Sequence, residues 1–136
     1  MKRHYMIPGQ PIALPRQRFT RQGRSYKPSS YLKESNDRRF ILRRAHTGEL
    51  INGPVSVTLE FYSKRPKRLM RKSDPDTAII KPTRPDVDNL CKACLDHMTG
   101  TVITDDALVV RLSAADYYCT KNEQPYTTII VEEIKS

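Results

Sequence analysis

Residues 55–62 read Val55-Ser56-Val57-Thr58-Leu59-Glu60-Phe61-Tyr62, with apolar side chains at every second position. Successive side chains of a strand point to opposite faces, so this alternation predicts a strand with one face on a core and the other toward solvent. Asn52-Gly53-Pro54 marks the turn before it. Toward the N-terminus, Tyr5-Met6-Ile7 reads as a short first strand ended by Pro8-Gly9-Gln10-Pro11. Between the two, Ser30 is placed to cap a helix that runs to about His46, with Gly48 near its end. Its apolar residues, among them Tyr31, Phe40 and Ile41, are few. A surface helix is expected, from which Arg38, Arg39, Arg43 and Arg44 could reach phosphates.

Two irregular basic stretches, at about 12–29 and 63–85, interrupt these elements. The first carries Arg16, Arg18, Arg21, Arg24 and Lys27 interleaved with Phe19 and Tyr26; its Pro, Gly and Ser content predicts an extended, exposed loop. The second carries Lys64, Arg65, Lys67, Arg68, Arg71, Lys72, Lys81 and Arg84 and reads as a loop that is disordered or ordered by DNA. Beyond it, Val87 to Met98 is helical in pattern, and Thr99-Gly100 stops it. Ala107 to Tyr118 and Tyr126 to Ile134 are strand-like, joined by a hairpin loop, so these last two strands are expected to pair antiparallel. The order β-loop-α-β-loop-α-β-β predicts one α+β domain over residues 1–136, a mixed sheet with helices packed on it.

Composition narrows the function classes. The chain has 136 residues, 38% apolar and 29% charged, which fits one domain. It contains no run of about 18 apolar residues and no apolar stretch behind Met1-Lys2-Arg3, so neither a membrane span nor a secretory leader is read, and a cytoplasmic protein is expected. Three cysteines, Cys91, Cys94 and Cys119, are too few and odd in number for a disulfide framework. Cys91-x-x-Cys94 and His97 fall inside the second helix, where packing is the expected role. The net charge of +9 is unevenly spread: residues 1–85 hold 20 Lys and Arg against 6 Asp and Glu, and residues 86–136 hold 4 against 9. A basic surface attracts a polyanion by counterion release, while clustered acids repel one unless a cation lies between. That polarity is what a metal-dependent nuclease needs.

The acids concentrate in two places. In Arg84-Pro85-Asp86-Val87-Asp88-Asn89-Leu90-Cys91-Lys92, Asp88 suits a helix N-cap, and Asp86 and Asp88 straddle a loop-to-helix junction where both can converge on one cation. Mg²⁺ commonly takes one or two carboxylates and keeps water and phosphate oxygens in its shell. Asp88, Lys92 and Asp96 are spaced to share one helical face. The second place is Asp105-Asp106. Neighbours in extended chain face opposite ways, so one is expected to reach the metal and the other to support it or hold the turn.

These blocks, together with Leu95-Asp96, Gly100, Val109-Val110, Pro8-Gly9-Gln10-Pro11 and Pro15-Arg16-Gln17-Arg18, resemble the RusA family of Holliday-junction resolvases, small phage-associated endonucleases. The segment 84–92 is similar to the family's Lys-Pro-Asp-x-Asp-Asn-Leu-x-Lys motif, with Arg84 in place of the usual Lys. Asp116 stands where the family often has a basic residue, and Ala107-Leu108 replaces a more polar pair. The resemblance implies a homodimer in the bacterial cytoplasm, of prophage origin, that nicks opposed strands of four-way junctions and related branched DNA. It implies Asp86, Asp88 and Asp106 as catalytic Mg²⁺ ligands, Asp105 as a further candidate, Mn²⁺ as a substitute metal, and Lys92 as an essential cation. The competing classes are a non-catalytic phage nucleic-acid-binding protein and a protein-interaction module. In the dimer, strands 55–62 and 107–118 are expected to supply the apolar interface.

Overall fold

The computed structural model describes residues 1–15, 18–19, 21–23, 25–26 and 28–135. In chain order they form β1 (Lys2–Pro8), β2 (Arg18–Phe19), β3 (Ser25–Tyr26), α1 (Ser29–Ala45), β4 (Val55–Ser63), β5 (Ile79–Ile80), α2 (Val87–Met98), β6 (Val109–Tyr118) and β7 (Tyr126–Glu133), with single 3₁₀ turns at Lys67–Leu69 and Asp106–Leu108. Helix α1 starts one residue before Ser30, after Pro28, so Ser30 lies in its first turn and makes no cap. Ala107 and Leu108, expected to open a strand, lie in the tight turn Asp106–Leu108 instead.

The main sheet is mixed and has the order β1-β7-β4-β6-β5. The alternation of 55–62 holds along all of β4: Val55, Val57, Leu59, Phe61 and Ser63 are buried, and the residues between them half-buried. Each large apolar side chain so buried contributes about 1.5–3 kcal/mol. This strand occupies the middle of the sheet, antiparallel to β7 and parallel to β6. The expected β6–β7 hairpin is therefore corrected. The chain from Cys119 to Pro125 carries β7 across β4, a span of two strand spacings, or about 10 Å, well within the reach of seven residues. The most apolar strand thereby has both edges paired, which a β6–β7 hairpin would not require. The parallel β4–β6 pair needs a long crossover, and α2 lies within it.

One face of the sheet carries the core. Tyr5 and Ile7 of β1, the inward row of β4, Ile129 and Val131 of β7, and Leu42, Leu90, Cys91, Cys94 and Met98 of the helices pack in one cluster. Helix α1 lies against β1 and α2. Cys91 and Cys94 are buried free thiols, as expected, and burial pushes the Cys94 thiol up to about 12. His97 is buried beside Tyr31. No helix among the described residues is long and apolar enough to cross a membrane.

Two expectations for basic residues change here. Arg38 is buried and bonds the Gln10 carbonyl and Glu34, and Arg39 bonds the carbonyls of Asp96 and Thr99. These two arginines hold α1 to its neighbours and are not available to phosphates. The second basic stretch is not an unstructured loop either. Arg65, 5% exposed, donates to the carbonyls of Leu69, Pro75, Thr77 and Cys119, so residues 66–77 are wound around one guanidinium.

Candidate active site

Pro85 and the extended backbone of Asp86 fix where α2 begins. Asp86 occupies the N-cap position, φ −66° and ψ 147°, and its carbonyl accepts from the amides of Asn89 and Leu90. The expected cap at Asp88 is thus displaced by two residues: Asp86 itself is extended, and its carbonyl takes the first helical hydrogen bond. Asp86 makes no side-chain capping bond. Asp88 falls in the first turn, and both carboxylates lie in exposed residues. Two acids at a helix N-terminus also sit favourably in the field of its unpaired amides.

One turn further on, the Lys92 ammonium stands 4.0 Å from Asp88, both side chains mostly exposed. The shared helical face of Asp88, Lys92 and Asp96 is present, but Asp96 is engaged by α1: it accepts from the Tyr31 hydroxyl at 3.2 Å and pairs with Arg39 at 3.4 Å. The Asp–Asp pair reaches this face through the turn that ends α2. Gly100, at φ +83°, takes a left-handed conformation that a side chain disfavours. Thr104 and Ile51 then tie the returning chain down, Thr104 N donating to the Ile51 carbonyl and Ile51 N to that of Val102.

Asp105 holds the turn, and Asp106 opens it. The Asp105 carboxylate accepts from the amide of Ala107 at 3.1 Å and caps the turn 106–108. Asp106 lines a cleft of about 250 Å³ with Leu14, Lys92, Leu95 and Asp96. Its carboxyl is raised from its ordinary value by a hydrogen bond shared with Asp105, by slight desolvation, and by the negative charges of Asp105 and Asp96. Leu14 is fixed in this cleft by its amide, which donates to the carbonyl of Asn89.

Asp86 and Asp88 line a second, larger cleft of about 590 Å³, between the loop 80–84 and residues Ala114–Asp116 of β6. Among the described residues no three His, Cys, Asp or Glu side chains form a group that could hold a metal ion. The chain alone therefore brings Lys92 to Asp88 and to the Asp106 cleft, but does not close Asp86, Asp88 and Asp106 into a cage. Their chemistry nonetheless suits a hard divalent cation: exposed carboxylate oxygens, a helix cap whose side chain makes no capping bond, and an acid whose proton affinity is raised by its acidic neighbours.

Of the basic residues expected at DNA, Lys64, Lys67, Arg68, Arg71, Lys72, Arg84 and Arg21 are exposed, Arg71 in an ion pair with Asp74. Arg65 and Lys81 are buried and engaged, which removes them from that set. Arg16, Arg24 and Lys27 lie outside the described residues, and the side chains of Arg18, Phe19 and Tyr26 do too. Sequence reasoning missed the inward role of Arg65, although a signal was present: 65 continues the odd-numbered parity of Val55 to Ser63. The pairing of Lys81 with Asp116, 35 positions apart, left no such signal.

Residues 8–132 match the family described as Endodeoxyribonuclease RusA. The chain is also similar to the uncharacterized protein YqaN of Bacillus subtilis (strain 168), 28% identical over 143 residues that cover 97% of this chain and 96% of the relative.

Proposed function

The chain belongs to the RusA family of endodeoxyribonucleases, and from that premise we propose that it is a Mg²⁺-dependent nuclease that resolves four-way and related branched DNA by paired nicking. The observation that carries this reading is the junction of opposite charges at α2: Lys92 lies 4.0 Å from Asp88 and shares a cleft with Asp106. A site for phosphodiester hydrolysis needs both signs side by side, acids to hold a metal and a cation for the phosphate.

Asp86, Asp88 and Asp106 would hold the ion, with Asp105 fixing the turn that presents Asp106. When bound, Mg²⁺ supplies Lewis-acid charge at the scissile phosphate and lowers the pKa of coordinated water. Mn²⁺ is the expected substitute. The Lys92 ammonium binds a non-bridging phosphate oxygen and stabilises the charge that develops there. Lys64, Lys67, Arg68, Arg71, Lys72 and Arg84, with Arg16, Arg18, Arg21, Arg24 and Lys27 of the first basic stretch, bind the backbone of the junction arms.

One chain carries one such constellation, whereas a four-way junction must be cut on two strands. A two-fold homodimer supplies the second site and merges two basic surfaces. Val110 and Leu112 of β6 are exposed, which favours β6 as the dimer face; the inward row of β4 is already consumed by the core. The test is incubation of the protein with a synthetic four-way junction, with Mg²⁺ or with chelator, alongside light scattering. Paired nicks that require the metal, from a species of twice 15.7 kDa, are expected. Junction binding without cleavage at any divalent ion would identify a non-catalytic binder instead.

A further inference from the structure

Lys81 lies at the end of β5, five residues before Asp86, with its side chain 6% exposed. Its ammonium donates to the carbonyls of Thr83, at 3.1 Å, and Arg84, at 3.0 Å, and stands 3.7 Å from the Asp116 carboxylate, whose side chain is 8% exposed. The Lys81 amide donates to the Asp116 carbonyl at 3.0 Å. The Tyr118 hydroxyl bonds Thr83 Oγ1 at 3.0 Å, and its ring lies 5.9 Å from the Lys81 ammonium. The contacts with Asp116 and Tyr118 tie the chain between β5 and α2 to the far end of β6, the two carbonyl bonds close that chain on the Lys81 ammonium, and it then runs directly into Asp86.

A buried lysine is costly unless paired and bonded. Here the cation spends its hydrogen bonds on the carbonyls of Thr83 and Arg84, just ahead of Asp86, although both belong to exposed residues that water could satisfy. Water would satisfy them without fixing their direction. The Asp116 atom Oδ1 is buried with no partner, so stability alone does not account for keeping an acid there.

We propose that Lys81 and Asp116 are positioning residues for the nuclease site: together they hold loop 81–85 on β6 and so set where Asp86 and Asp88 stand relative to Lys92. This rests on the nuclease reading above. Neither residue touches the reacting atoms. Lys81, expected from the sequence to bind DNA, acts through the backbone that carries the two acids.

The deciding variant is Lys81→Met combined with Asp116→Leu. Replacing a buried ion pair by apolar residues of similar size is often neutral or stabilising, so the melting temperature is expected to stay near that of the unaltered protein. If the pair positions the loop, kcat on a four-way junction falls by about tenfold or more, since small displacements of aligned groups are expensive. KM and junction affinity change little, and the amides of Asn89 and Leu90, which bond the Asp86 carbonyl, exchange faster with solvent. Wild-type kcat and unchanged amide protection in a folded double variant would overturn the proposal. Should that variant not fold, Asp116→Asn keeps the shape and removes the anchoring charge. A lower kcat with faster exchange at 89–90 is expected from it, and no change in either overturns the clamp. Failure of the unaltered protein to cut any branched DNA would refute the nuclease reading, whereas the exchange measurement still decides whether the pair holds the loop.

Discussion

The segment from Lys64 to Lys81 and helix α2 border the same region yet dispose of their charges in opposite ways. In α2 most backbone carbonyls are satisfied by the helix itself, and two of its charged side chains stay at the surface: Asp88 and Lys92 are 68% and 61% exposed. In the irregular segment the carbonyls have no ladder. They must find other donors, and two cations of that segment are drawn inward: Arg65 takes the carbonyls of Leu69, Pro75 and Thr77 together with that of Cys119, and Lys81 takes those of Thr83 and Arg84 just beyond the segment. The lesson is that a basic loop need not be a uniformly basic surface. Some of its cations are structural because the chain around them is irregular.

The largest effects fall on the α2 side. Asp86→Asn, Asp88→Asn and Asp106→Asn should each lower cleavage of a four-way junction by roughly 10³-fold or more while leaving the melting temperature and junction binding intact, as read by single-turnover nicking and gel shift. A variant that cuts near the wild-type rate removes its residue from the site. Lys92→Ala should follow, losing about 10²-fold in cleavage rate but little affinity, because one phosphate contact among many is a small share of binding. A loss confined to affinity would make Lys92 an ordinary backbone contact and dissolve the contrast between the two regions.

Within the basic segment the expected effects are smaller and of two kinds. Arg65→Met orphans several carbonyls and should destabilise the fold by about 3 kcal/mol, measured by urea denaturation, with new protease sensitivity between 66 and 77. An unaffected unfolding midpoint would mean that residues 66–77 hold their course without the guanidinium. Lys67→Ala, Arg68→Ala and Lys72→Ala should change stability by less than about 0.5 kcal/mol. Each should lower the slope of log affinity against log salt by about 1 if it meets a phosphate. A slope unchanged in all three would place the DNA elsewhere.

The elements themselves were largely legible. Strand periodicity identified β4 and β7, the turn residues at 8–11 and 52–54 bounded their neighbours, and Pro85 and Gly100 bracketed α2. These are local signals, carried by backbone sterics and by a face that must be buried. The candidate site was legible as spacing: Asp86 and Asp88 at a loop-to-helix junction, Lys92 one turn on, Asp105 and Asp106 after the glycine turn. What the spacing misjudged was the capping residue, because either aspartate suits an N-cap and local spacing does not choose between them.

By itself, then, the sequence determined the two helices and the four longer strands, where the acids gather, and that the first 85 residues are basic. Tertiary structure alone decided that β7 crosses to the far side of β4, since the two possible partners of β6 differ in long-range pairing and not in local pattern. It alone decided that Asp106 shares a cleft with Lys92, which depends on how the turn after α2 is tied to Ile51. It alone separated Arg65 and Lys81 from the exposed cations beside them. A charge is the same letter in either place, and only the surrounding fold supplies the carbonyls and the buried Asp116 that make a cation worth burying.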